Sequence, residues 1–316
     1  MRQLPIILRI FILIFATACG GNADHSNHSN KTDGGFVYYI GKSWSKRPFP
    51  QKQSNTNLLK ELKDNIIAVT DGMNKATASY MGRTASGLHL VLTNMHVIDD
   101  FNACQGVMKN APFHFEQPMG ASYYCERELM RFPEVDLSII SLAALPSDPI
   151  LNQKKGLSLA QNFTFIDSQR FLTAGFGIYK NEGRKLVIDD SDECRLISEP
   201  GNFHQMNGDS GKAKIWSMAV ACDISIGDSG SPLIDKESGK IVGLMWSGVY
   251  PKFKDRSSFE SIEKIIDSSP ELVWKSYNYA VPVTEIQNYL EAQEDSLRFD
   301  LIKMFEKAEI YRTLFE

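Results

Sequence analysis

The sequence predicts an all-β fold. Two observations carry this: twenty-two glycines, and many short apolar runs bounded by turn residues. A third sets the scale. The chain has 316 residues, room for one large domain or two modest ones, and 43% hydrophobic residues, ample for a core. A net charge of −4 gives no reason to expect nucleic acid as a partner.

The first element is a targeting segment. Arg2 precedes an apolar run from Ile6 to Phe15, interrupted once by Arg9, and Ala16-Thr17-Ala18-Cys19-Gly20 follows. This is the length and order of a secretory signal and too short for a comfortable membrane span. Small residues before Cys19 resemble the bacterial lipoprotein signal, in which that cysteine is lipidated. Ala16 departs from the leucine commoner there, and an ordinary signal peptide cut nearby is the alternative. Residues 20–35 are small and polar and read as a flexible tether of about 20 Å. His25 and His28 lie within it as solvated side chains.

Leu58 to Asp64 reads as a short helix leading into a first strand, Ile66 to Val69. Ser79–Gly82 and Leu88–Leu92 read as a hairpin across Thr84-Ala85-Ser86-Gly87. Its second strand runs into Thr93-Asn94-Met95-His96. A histidine just past a buried strand is fixed in position yet open to a cleft; His89, His114 and His204 have no comparable setting. Phe101 to Arg131 reads as irregular. Glu134 to Leu142 then puts Asp136 at the head of an apolar strand, where a buried carboxylate is costly unless partnered. A strand-capping aspartate is the plainer alternative.

Pro146 to Leu159, polar and proline-bearing, reads as the link between two halves. Phe171–Gly177 reads as a strand of the second half, and Val187 to Ile197 holds Cys194 and another strand. Tyr250 to Ser276 is an insertion with helical spacing over Phe259–Ile266, placed beside the cleft. A strand, Tyr277–Val283, follows. Leu297, Leu301, Phe305 and Ala308 then recur at helical intervals, as for a helix packed on the domain.

The chemistry concentrates in Cys222-Asp223-Ile224-Ser225-Ile226-Gly227-Asp228-Ser229-Gly230-Ser231-Pro232-Leu233. A serine hydroxyl is a poor nucleophile without a base to take its proton and donors to hold the oxyanion. Glycines on both sides let the backbone turn sharply and present bare N–H groups. Ile241 to Gly248 reads as a strand beside this serine. The residue types point to a serine hydrolase.

Gly-Asp-Ser-Gly-Ser-Pro with its Ile-Val-Gly strand, preceded by Thr-Asn-Met-His and Asp-Leu-Ser-Ile-Ile, resembles the chymotrypsin-like (trypsin-type) serine peptidases, in particular their bacterial branch. The resemblance runs from about Ile66 to Leu290. It implies two six-stranded antiparallel β-barrels with a C-terminal helix. It also implies a His96, Asp136, Ser229 triad in the family's chain order, and an oxyanion hole from the Gly227 and Ser229 N–H groups. No metal or cofactor is implied. Asp223 takes the place of the trypsin pocket-floor acid, which selects Lys or Arg, although relatives with other preferences carry it too. Trp246-Ser247-Gly248 takes the place of a pocket wall, with its first two residues in inverted order. Asp228 is the residue that pairs with a newly cut α-amine in animal enzymes. Here no such N-terminus is visible, so Asp228 finds another partner or the chain is cut near residues 35–60. Asn207-Gly208-Asp209-Ser210-Gly211 repeats the short motif but lacks the Ser-Pro and apolar strand, so Ser210 reads as a turn.

With Cys19 set aside, Cys104, Cys125, Cys194 and Cys222 allow three pairings. Cys104–Cys125 and Cys194–Cys222 are preferred because each closes a short loop within one half. A zinc site lacks the expected cysteine and histidine clusters. The resulting organisation is a signal at 1–19, a tether and extension at 20–57, a peptidase domain at 58–290 and a helical extension at 291–316. The expected partners are protein or peptide substrates, and a membrane if Cys19 is acylated. The chain is expected to be exported: outer-membrane-anchored, periplasmic, at the cell surface or secreted. The competing functions are a silent protease-fold binding protein, and an esterase whose Gly-Asp-Ser would normally open the domain.

Overall fold

The computed structural model describes residues 37–38, 47–48, 57–70, 75–101, 104, 114–116, 122–144, 148–177, 185–207, 214–225, 227–248, 278–296 and 301–316. The expectations for Cys19, the tether, Ser210 and the 250–276 insertion lie outside these residues.

A nine-residue helix, α1 (Asn57–Asn65), leads directly into the first barrel. Six strands close that barrel: β3 (Ile66–Thr70), β4 (Lys75–Arg83), β5 (His89–Asn94), β6 (His114–Glu116), β7 (Ser122–Phe132) and β8 (Leu137–Ala143). They run in the order β3-β4-β5-β8-β7-β6, and all the pairings are antiparallel. The β4–β5 hairpin turns where the sequence places it. β3, β5 and nearly all of β8 are buried along their length, so apolar residues line both faces.

β7 corrects the irregular reading of Phe101–Arg131. It spans eleven residues, but Glu126, Arg127, Glu128 and Arg131 crowd it, and two register shifts against β8 break its alternation. A strand whose period slips twice has no clean two-residue signature. Cys104–Cys125 ties its start back to the stretch after β5, as the loop argument prefers.

The second half is built from β9 (Phe171–Gly175), β10 (Val187–Asp189), β11 (His204–Asn207), β12 (Lys214–Val220), β14 (Pro232–Asp235), β15 (Ile241–Gly248) and β16 (Asn278–Pro282). Their order is β11-β12-β16-β15-β14-β9-β10. Single bridges from Arg195 to Arg170 and from Leu196 to Val220 join β9 back to β12, which rolls the sheet into the second barrel. Of the stretch Val187–Ile197, only Val187–Asp189 is strand; the rest supplies these bridges and Cys194, which pairs with Cys222.

The extension before the domain is also part of the sheet structure. β1 (Val37–Tyr38) pairs with β13 (Ile224–Ser225), just before the Gly-Asp-Ser-Gly motif, and β2 (Arg47–Pro48) pairs with β10. The link between the halves is hydrogen-bonded on both sides: the Leu157 N–H donates to the Tyr80 carbonyl and the Ala160 N–H to the Ile241 carbonyl.

At the C-terminus, α3 (Val283–Ser296) and α4 (Leu301–Phe315) follow β16. Ile310, Leu314 and Phe315 are buried in the main core, so the last helix packs on the domain. The Leu314 carbonyl accepts from the Leu159 N–H at the link between the barrels. Arg127 of β7 pairs with Glu306.

Candidate active site

The site forms where β5 ends. A seven-residue helix, α2 (Met95–Phe101), starts there, and its first N–H groups need acceptors. Asp136 supplies two. Its carbonyl accepts from the Met95 N–H at 2.9 Å, and its Oδ1 accepts from the His96 N–H at 3.0 Å. Its Oδ2 lies 2.6 Å from His96 Nδ1. A carboxylate only accepts, so Nδ1 carries the proton and Nε2 keeps a lone pair.

Asp136 reaches this place by a left-handed backbone turn, φ 42° and ψ 46°, that ends the single 3₁₀ turn Pro133–Val135 and opens β8. Aspartate tolerates that region better than most residues. The Asn94 amide also donates to the Asp136 carbonyl, at 3.1 Å. The Asp136 side chain is 2% exposed and that of His96 29% exposed, so the acid is locked in and the imidazole is open on one side.

Ser229 lies on the loop between β13 and β14. Gly227 and Gly230 on either side have φ of +104° and +83°. A Cβ at Gly227 would lie 2.3 Å from the Phe176 carbonyl oxygen, and one at Gly230 would lie 2.1 Å from that of Thr77. Only glycine fits either position. Ser229 itself is partly exposed while its neighbours Asp228 and Gly230 are buried. A Cβ at Gly230 would also lie 2.4 Å from Thr93 Oγ1, so the loop packs on the strand that runs into His96.

Asp228 has a local partner. Its Oδ2 accepts both the Ser225 N–H, at 2.6 Å, and the Ser225 hydroxyl, at 2.9 Å. Asp223 is fully buried, and its N–H donates to Asp189 Oδ2 at 2.7 Å.

The pocket-wall expectation for Trp246 is corrected. A bulge between Met245 and Ser247 shifts the alternation by one residue. Trp246 is 5% exposed within the core, its ring lies near Tyr279, and its indole N–H donates to Ser217 Oγ at 3.1 Å. Ser247 is partly exposed on the same strand, and Gly248 pairs with Asn278.

Sequence reading missed Thr77. A threonine within a strand is ordinary β chemistry and carries no signal of its own. Its N–H donates to the Ser229 carbonyl, its hydroxyl to the Gly227 carbonyl, and its carbonyl accepts from the Thr93 hydroxyl. Among the described residues no group of three or more His, Cys, Asp and Glu side chains is disposed to hold a metal ion.

A buried acid orients an imidazole whose Nε2 is the proton-accepting atom of this tautomer, and a serine hydroxyl lies on a glycine-flanked loop. That set can support acyl transfer. The family model described as trypsin-like peptidase domain matches residues 76–244, just over half of the chain. Among solved structures, Rv3671c from Mycobacterium tuberculosis H37Rv, a serine-to-alanine mutant in an inactive form, is 14% identical with a TM-score of 0.45, over 80% of this chain and 96% of that one. The Rv3671c protease in an inactive form is 15% identical with a TM-score of 0.43, over 78% of this chain and 97% of that one.

Proposed function

The chain belongs to the trypsin-like peptidase family, and on that premise we propose that it is a serine endopeptidase that works through an acyl-enzyme on Ser229. The observation that carries this is the grip of Asp136 on both the backbone and the ring of His96.

In this reading His96 Nε2 takes the Ser229 proton as Oγ attacks the scissile carbonyl. The same proton then passes to the leaving amine. Asp136 holds the tautomer and stabilises the imidazolium. The Gly227 and Ser229 N–H groups hold the oxyanion, each worth about 3 kcal/mol in the transition state. Water on the same base releases the second product.

Activation needs no new N-terminus in this proposal. Ser225 already supplies two donors to the Asp228 carboxylate, and β1 already lies beside Ile224–Ser225. Cys19 would carry the lipid that tethers the exported enzyme to a membrane. Mass spectrometry of active enzyme is expected to show an acylated, uncut N-terminus. Active enzyme that begins between residues 35 and 60 would reject both statements.

The decisive test of the function is a peptide-library digest beside fluorophosphonate labelling. Wild type is expected to cleave and to take one adduct on Ser229. Ser229→Ala should lose turnover by about 10⁶-fold, and Ser210→Ala should keep it. Cleavage that survives Ser229→Ala but not Ser210→Ala moves the nucleophile. The same digest reads the pocket: an acid floor at Asp223 predicts cuts after Lys or Arg that disappear in Asp223→Ser.

A further inference from the structure

We infer that Thr77, a residue of the first barrel, is a positioning residue that sets the oxyanion-binding loop of the second; the inference rests on the triad reading above. Thr77 is fully buried in β4. Its hydroxyl donates to the Gly227 carbonyl at 2.7 Å and accepts from the Phe176 N–H at 2.9 Å. Its N–H donates to the Ser229 carbonyl at 2.9 Å. Its own carbonyl accepts from the Thr93 hydroxyl at 2.7 Å, three residues before His96.

These contacts fix orientation as well as place. A carbonyl held in a direction fixes the plane of its peptide. Thr77 holds the carbonyls of Gly227 and Ser229, the two residues whose N–H groups the triad reading assigns to the oxyanion. The peptide that carries the Ser229 N–H lies between these two fixed carbonyls. The left-handed Gly227 could otherwise rotate at little steric cost, since glycine has no side chain to restrain it. The hydroxyl is therefore a latch on Gly227.

The node has little slack. A Cβ added at Gly175 would stand 1.9 Å from Ser231 Oγ and 2.8 Å from both Thr77 Oγ1 and Asp228 Oδ1. One threonine thus connects the base's strand, the edge of β9 and the nucleophile's loop. The hydroxyl spends its one proton on Gly227 and a lone pair on Phe176, so valine, of the same shape, breaks both bonds at once.

The test compares wild type, Thr77→Val and Thr77→Ser. A mispositioned oxyanion donor acts on the transition state and leaves ground-state binding alone. Thr77→Val is expected to lower kcat by about 10- to 100-fold with KM within threefold. It should weaken binding of a peptide boronic acid, which forms the tetrahedral adduct, by the same factor. Affinity for the cleaved peptide product should hold, and Thr77→Ser should recover most of the lost rate. If Thr77→Val does not fold, Thr77→Ala is read against Thr77→Ser by the same ratios.

A folded Thr77→Val with wild-type kcat, or one whose boronate and product affinities fall together, overturns the inference and leaves the triad standing. Wild type that neither turns over nor takes an adduct on Ser229 overturns both.

Discussion

β5 carries a histidine near each end, and the two have opposite fates. His89 opens the strand, 1% exposed, hydrogen-bonded at 2.8 Å to the Tyr80 hydroxyl and stacked near its ring. Its Nε2 is buried with no partner among the described residues. Burial first, and the nearby Arg83 charge second, hold its pKa below the usual histidine value. His96 lies just beyond the other end, with a carboxylate on Nδ1 and its ring partly open. The same side chain is a buried hydrogen-bond partner in one setting and a carboxylate-oriented, part-open ring in the other. What separates them is a charged orienting partner and one face left to water.

Three further predictions test that contrast, beyond the loss expected of Ser229→Ala. The largest is Asp136→Asn. The amide can no longer accept at both oxygens, the imidazole loses its required tautomer, and kcat should fall by about 10⁴-fold, read in steady-state kinetics on a cleaved peptide. A change below tenfold would mean that His96 does not depend on Asp136.

Second is the double variant Cys104→Ser with Cys125→Ser, which opens the loop between the end of α2 and β7. Denaturant unfolding should show a loss of about 3 kcal/mol with kcat little changed, because the His96–Asp136 hydrogen bonds are separate from the bridge.

The smallest is His89→Asn, which should keep kcat near wild type and change only the response to acid. The folded pKa of His89 is lowered, so the unfolded chain takes the proton first as pH falls. Stability is therefore held above about pH 6.5 and lost as pH drops through that value toward the folded one. Melting temperatures at pH 8 and pH 5 should differ more in wild type than in His89→Asn. Equal differences would show that His89 is not the acid-sensitive group.

The same contrast explains what the sequence made legible. The His96–Asp136 contact and the turn around Ser229 were legible because they lie in strongly patterned surroundings: a strand end, a strand head and a pair of glycines. The β4–β5 hairpin and α1 were visible because their hydrogen bonds and apolar pattern are local. β1 and β2 were not, since a two-residue strand takes its bonds wholly from a distant partner. Trp246 misled because one bulged residue reverses inside and outside, and a bulge leaves no mark in composition. Thr77 was silent because its hydroxyl acts through residues 150 positions away.

The left-handed turn at Asp136 has an evolutionary and practical consequence. The backbone there admits few residues without strain: glycine, asparagine and aspartate lead the short roster. Glycine has no acceptor for the ring, and asparagine offers an amide where a carboxylate is required. In a saturation library at this codon, the variants that still fold and the variants that still turn over should overlap at a single amino acid. Drift through that position would strand the protein as a well-built but idle scaffold.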